Sequence, residues 1–168
     1  MKRLYLLRHA KSSWKGTGLS DHDRPLAARG RRAAKAIARH LRDEHLEPEL
    51  VLCSTARRAR ETLDRIEPAL GAPTVELEHD LYAASADALL ERLRRVPDTV
   101  ASVMLIGHNP GLQELALDLA RPPPTVSELA TKFPTAALAT LEIRASNWQE
   151  LDHETGEIVA FVRPRDLD

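Results

Sequence analysis

Cysteine occurs once in the 168 residues, at position 53, which closes off both an internal disulfide and a Cys-rich zinc site. Cys53 ends the apolar run Leu50-Val51-Leu52-Cys53 and reads as a core thiol rather than a nucleophile. Aromatic residues are only 4% of the chain, so the core is expected to be built from Leu, Ala, Val and Ile. Net charge is also nearly absent. The 24 basic and 25 acidic side chains leave −1, without the positive footprint of a nucleic-acid or anionic-membrane binder. No apolar stretch approaches the roughly 18 residues of a membrane span. The short run Leu4 to Leu7 is cut off by Arg8-His9 before it could act as a signal peptide. These absences predict a cytoplasmic protein with neither a nucleic-acid nor a membrane partner. The length predicts a single domain over 1–168, large enough to bury a core without staples. Lysine is scarce as well, five residues against 19 arginines. Arginine is the residue of forked phosphate and carboxylate recognition, so the place of individual arginines becomes the question.

What is present is an alternation of β-type runs and helical periodicity. Buried strands are predicted at 3–7, 50–53 and 101–106, an edge strand at 74–78 and a longer strand at 137–143. A C-terminal hairpin is predicted from 147–151 and 157–162 around His153-Glu154-Thr155-Gly156. Apolar residues at i, i+3, i+4 spacing predict helices over 27–42, 57–70, 85–95 and 110–120. Residues 14–25 and the proline-rich 121–125 read as irregular loops, the latter a candidate interface. The order of elements implies an α/β fold: a three-layer α/β/α sandwich around a mostly parallel central sheet. In such sheets ligands sit beyond the carboxyl ends of the strands.

Three strand ends carry the residues that chemistry would need. The first is followed by Arg8-His9-Ala10, the second by Ser54-Thr55-Ala56-Arg57-Arg58, the third by Gly107-His108-Asn109-Pro110. Ser54 and Asn109 are good helix N-caps, and Pro110 suits a first helical position. A helix N-terminus directs free N–H groups and positive dipole at an anion. His9 or His108 alone would be an ordinary hydrogen-bonded histidine. With Arg8 and Arg58 they form a phosphate-handling set, to which Asn109 and Lys15 are added as candidate phosphate contacts. No HExxH spacing supports a metal site, and no cofactor is implied. His22, His40, His45, His79 and His153 are expected on exposed loops or polar faces.

These blocks resemble the histidine phosphatase superfamily, which includes the cofactor-dependent phosphoglycerate mutases. The family's Arg-His-Gly appears as Arg8-His9-Ala10. Its Ser-x-x-x-Arg-Ala-x-Gln-Thr appears as Ser54 to Thr62, with Glu61 in place of Gln. Its strand-terminal Gly-His appears as Gly107-His108, and Arg-Pro-Leu-x-x-x-Gly as Arg24-Pro25-Leu26 and Gly30. Within the superfamily, Arg-His-Ala, Asp23-Arg24-Pro25-Leu26, Leu81-Tyr82 and Gly-His-Asn-Pro are most similar to the SixA-type phosphohistidine phosphatases. The resemblance spans residues 3 to 143 and implies a phosphoglycerate mutase-like fold. It also implies a metal-independent phosphatase with His9 as nucleophile and Arg8, Arg58 and His108 stabilising the transferred phosphoryl group.

Two departures refine the expectation. The family's ester phosphatases and mutases place a glutamate general acid after the edge strand; here that stretch is Leu81-Tyr82-Ala83, with Glu78 and Asp80 the nearby candidates to replace it. An alkoxide leaving group needs a proton from the enzyme, whereas imidazole leaves well once protonated. The resemblance therefore implies a phosphorylated substrate that is a phosphohistidine protein. The alternatives are a small-molecule phosphomonoesterase and, less favoured, a phosphate-binding regulatory module. The second departure is Lys15, which stands where some members have an asparagine near phosphate.

Overall fold

A computed structural model describes residues 1–16, 18–122 and 126–167. Its strands are β1 (Lys2–Arg8), β2 (Leu50–Ser54), β3 (Thr74–Glu78), β4 (Ser102–Gly107), β5 (Leu138–Ile143) and β6 (Gly156–Val162). They make a single sheet in the order β3-β2-β4-β1-β5-β6. The pairs β3–β2, β2–β4 and β4–β1 are parallel, while β5 and β6 add antiparallel. The helices are α1 (Ala28–Asp43), α2 (Arg57–Ile66), α3 (Ala86–Arg94), α4 (Gly111–Leu119) and α5 (Val126–Thr131). The architecture is the expected α/β/α sandwich.

The apolar runs of β1, β2 and β4 are continuous because both faces of the sheet are covered. Successive side chains point to opposite faces. Leu4, Leu6, Leu50, Leu52, Val103 and Leu105 join the core beneath α3 and α4. Tyr5, Leu7, Val51, Cys53, Met104 and Ile106 join the core beneath α1 and α2. Each fully buried side chain of this kind stabilises the fold by about 1.5–3 kcal/mol relative to exposure. Cys53 is one of them, and burial pushes its thiol up to about 12, as a core thiol requires. At the sheet's margin β3 exposes Thr74, Glu76 and Leu77, and its charged residue discourages further pairing.

Three local expectations change. The partner of β6 is β5, with Leu138 opposite Val162, and residues 147–151 are not a strand. Trp148 there is fully buried with its indole N–H on the Val100 carbonyl, and Asn147 caps a 3-10 turn over Trp148–Glu150. That anchoring outweighs the β-type alternation of the segment. Helix α2 ends at Ile66 and a 3-10 turn follows at Glu67–Ala69, where Pro68 lacks the N–H an α-helix would use. The caps also shift. Helix α2 begins after Ala56, because the Ser54 hydroxyl is taken by the Ala56 N–H and by His108. Helix α4 begins after Pro110, and Asn109 accepts from the Gln113 N–H one residue further out than expected. Residues 123–125 of the proline-rich candidate interface lie outside the described residues.

The parallel order brings the C-terminal ends of β1, β2 and β4 side by side. Helix α1 is drawn tightly against the segment after β1. A Cβ on Gly30 would lie 2.1 Å from the Lys11 carbonyl oxygen, so only glycine fits. A Cβ on Gly111 would meet the Ala84 carbonyl oxygen at 2.1 Å, which seats α4 against the residues before α3.

Candidate active site

Arg8, the last residue of β1, and His9, just after it, are held by the sheet's own hydrogen bonding. The Arg8 N–H donates to the Ala137 carbonyl and the His9 N–H to the Gly107 carbonyl, each at 3.1 Å. The next N–H, of Ala10, donates to the Thr62 hydroxyl at 3.0 Å, and that hydroxyl donates to the Arg58 carbonyl at 2.7 Å. This chain of bonds ties the segment after β1 to the first turns of α2.

The structure brings four of the predicted residues to this one place. His9, Arg58 and His108 are all buried, and the His9 and His108 ring centroids stand 5.0 Å apart. Nδ1 of His9 lies 2.7 Å from the Ala10 carbonyl oxygen. A carbonyl only accepts, so Nδ1 carries the proton and Nε2 keeps its lone pair. Burial, with the neighbouring charges of His108, Arg58 and Arg8, pushes the His9 imidazole down to about 3. His108 falls to about 4, through burial first and then the Arg58 charge. Its Nε2 is 2.8 Å from the Ser54 hydroxyl, while its Nδ1 is buried with no partner among the described residues. Nε of Arg8 is a second such orphan, although Nη1 of the same guanidinium donates to the Phe133 carbonyl at 3.0 Å. Unpaired buried donors cost about 1–3 kcal/mol each. Arg8 Nε–H and, in the tautomer protonated there, His108 Nδ1–H are two such donors on residues packed around His9, and they suit an anion with several acceptor oxygens.

Residues that sequence reasoning did not place here complete the mouth. Asp21, in the 3-10 turn Asp21–Asp23, takes Arg58 from above: Nη1 donates to its carbonyl at 2.7 Å and Nη2 to Oδ2 at 3.1 Å. The Tyr82 hydroxyl donates to the same Oδ2 at 2.6 Å, and Arg24 to Oδ1 at 3.0 Å. These donors, Tyr82 first, hold the Asp21 carboxyl well below the usual carboxylate range. Tyr82 lies edge-on to His108, with ring centroids 5.5 Å apart. His22, expected on an exposed loop, is half-buried instead, bonded to Thr55 at 2.9 Å and edge-on to Tyr82. His40 is likewise half-buried, on α1. The signal for Asp21 was available in the Asp-x-x-Arg spacing with Arg24, which forms an i,i+3 pair, but nothing in the sequence joined it to Arg58.

Asn109 reaches the site's wall rather than its centre, donating to the Phe133 carbonyl at 3.0 Å. Lys15 is exposed on the loop, and its ammonium forms no hydrogen bond or ion pair among the described residues. Glu78 is bound in two places to Arg92, at 2.7 and 2.8 Å, which lowers its carboxyl and fixes it as the anion. Asp80 is exposed beside it. Among the described residues, no group of three or more His, Cys, Asp and Glu side chains is placed to hold a metal ion.

Comparison with known proteins decides the class. The profile of the histidine phosphatase superfamily, branch 1, matches residues 4–85. A solved structure from Agrobacterium tumefaciens that carries the SixA name is 31% identical, covers 97% of this chain and 98% of its own, and superposes with a TM-score of 0.84. The chain belongs to the histidine phosphatase superfamily. As a histidine phosphatase it uses a histidine as nucleophile toward phosphorus. Another histidine phosphatase structure, of the protein histidine phosphatase SixA complexed with tungstate, is 25% identical, covers 99% of both chains and has a TM-score of 0.79. A Mycobacterium leprae protein is 39% identical over 165 residues, 95% of this chain and 100% of its own. No helix among the described residues is long and apolar enough to cross a membrane.

Proposed function

We propose that this histidine phosphatase hydrolyses phosphohistidine on a protein, with His9 as the nucleophile. The observation that carries the reading is the Nδ1 bond of His9 to the Ala10 carbonyl. It leaves Nε2 unprotonated, in a pocket where the imidazole stays neutral far below pH 7. In the first half-reaction the Nε2 lone pair forms a bond to phosphorus. The P–N bond to the substrate imidazole breaks, and the departing ring, already protonated on its other nitrogen, leaves neutral. Water then attacks the phosphohistidine on His9 and releases phosphate, returning the pair of electrons to Nε2. Charge on the three equatorial oxygens is met by Arg58, Arg8 Nε–H and His108 Nδ1–H, the last two otherwise unpaired among the described residues. In this tautomer His108 accepts the Ser54 proton at Nε2.

The substrate class follows from which carboxylates remain to give a proton. Glu78 is engaged by Arg92, Asp80 beside it is exposed to solvent, and Asp21 is held as an anion by Tyr82, Arg24 and Arg58. A leaving group that brings its own proton fits such a site; an alkoxide does not. The similarity to a protein histidine phosphatase that binds tungstate, a tetrahedral oxyanion, supports the same reading.

The test is to quench the enzyme during turnover of a labelled phosphohistidine peptide. Acid-labile, alkali-stable label is expected on His9 and absent from His9→Ala. Label on another residue would overturn the mechanism. Faster turnover of p-nitrophenyl phosphate or another small ester than of the peptide would overturn the substrate class.

A further inference from the structure

A second positively charged feature lies beside the site and takes no part in the chemistry above. A cleft of about 610 Å³ is lined by Lys11, Arg29, Lys132 and Arg165, with Pro134 among its apolar lining. A fifth cation, Arg163, also lines it and is paired with Asp166. The other four are exposed and have no carboxylate partner among the described residues. They come from four parts of the fold: the segment after β1, the first turn of α1, the stretch before β5 and the turn after β6. On a chain of net charge −1, such convergence is a local field rather than a general property.

The register of the sheet fixes where this field lies. Leu7 of β1 pairs with Leu138 of β5, and Leu138 with Val162 of β6. Arg163 to Arg165 therefore emerge at the same edge of the sheet as His9, two strands away. With strands about 4.8 Å apart, that is roughly 10 Å along the rim. The two places share a wall. Phe133 gives its carbonyl to Arg8 on the site side, while its neighbours Lys132 and Pro134 face the cleft. The Ala136 N–H is held by the carbonyls of Arg8 and His9.

We infer that this cleft is a docking site for acidic residues of the protein that carries the phosphohistidine. The inference rests on the proposed function and names what distinguishes its substrate. A site for one small phosphate would need buried, convergent donors like those around His9. Exposed cations on separate elements instead suit several carboxylates presented by a surface. Such groups act through encounter and affinity more than through the chemical step.

Two phosphohistidine peptides test it, one with Glu at positions three to six residues from the phosphohistidine and one with Gln there, alongside free phosphohistidine. The acidic peptide is expected to show kcat/KM about tenfold above the neutral one, mostly through KM, since a few exposed pairs each contribute modestly. The advantage should shrink between 50 and 300 mM salt. In K132E/R165E it should vanish, with turnover of the neutral peptide and of free phosphohistidine unchanged. Equal kcat/KM for the two peptides in the wild type, or an advantage that survives K132E/R165E, overturns the docking site and leaves the proposed function standing. An equal loss on all three substrates in K132E/R165E also overturns it. Absence of turnover on every phosphohistidine substrate instead overturns the proposed function, and the docking site with it.

Discussion

In the proposed mechanism His108 contributes without touching the nucleophilic step. It is buried, neutral, and fixed at Nε2 by Ser54, and its Nδ1 has no hydrogen-bond partner among the described residues. A donor held in place before charge develops is worth more than one that must reorganise. His108→Ala is expected to lower kcat by about 10²–10³, with label still forming on His9 at a reduced rate; stopped-quench kinetics would measure both. A kcat within a factor of three of wild type would remove His108 from the proposed set. At this scale the sequence located the clustered residues through the ends of its strands. Arg8, His9, Arg58 and His108 adjoin apolar runs whose ends the periodicity locates. Asp21 and Tyr82 were not legible, because their bond to each other and to Arg58 spans a loop and two turns with no spacing rule to connect them. Lys15 was singled out by alignment with a motif, and the structure leaves it exposed.

At the scale of elements, the site depends on how closely loops and helices approach the end of β1. Gly30 is the tightest point, since any Cβ there would collide with the Lys11 backbone two residues from His9. Gly30→Ala is expected to lower the melting temperature and to reduce kcat more than it raises KM, because the displaced backbone carries His9 with it. Normal kcat in a destabilised variant would show that the collision relaxes through α1 instead. The 3-10 turn at Asp21–Asp23 acts in the opposite sense: its Asp21 carboxylate competes with a phosphoryl group for Arg58. Asp21→Asn removes the competing charge and leaves one side-chain oxygen, which can accept from Tyr82 or from Arg24 but not from both. Inhibition by inorganic phosphate is expected to tighten about three- to tenfold, consistent with an exposed charge pair. An unchanged or weaker inhibition constant would mean that Asp21 positions Arg58 more than it shields it. The alternation of strands and helices was readable because both faces of β1, β2 and β4 are covered. The true partner of β6 was not. A segment with β-type alternation lay nearer in sequence, and the burial of Trp148 that excludes it from the sheet is a tertiary effect.

For the whole molecule, burying two neutral histidines at the junction of sheet and helices links stability to pH. An unfolded histidine titrates near 6.5, whereas His9 and His108 titrate at about 3 and about 4 in the folded protein. Below pH 6.5 the unfolded chain therefore binds two protons that the folded chain refuses. More protons on the unfolded state mean stability that rises with pH, so stability is lost as pH falls from 6.5 toward 4 and levels off below the folded values. At pH 5 each histidine costs about 2 kcal/mol relative to neutral pH. For a chain of this size, the pair should lower the melting temperature by roughly 10 °C between pH 7 and pH 5. Asp21 acts outside this window, because its depressed carboxyl contributes stability that fades only below the ordinary aspartate range. Thermal melts of wild type and His108→Gln from pH 7.5 to 4.5 would separate the contributions. The variant is expected to lose about half the slope between pH 6.5 and 4.5. A slope identical to wild type would place the acid sensitivity elsewhere, and would mean that His108 accepts a proton in the fold as readily as in water.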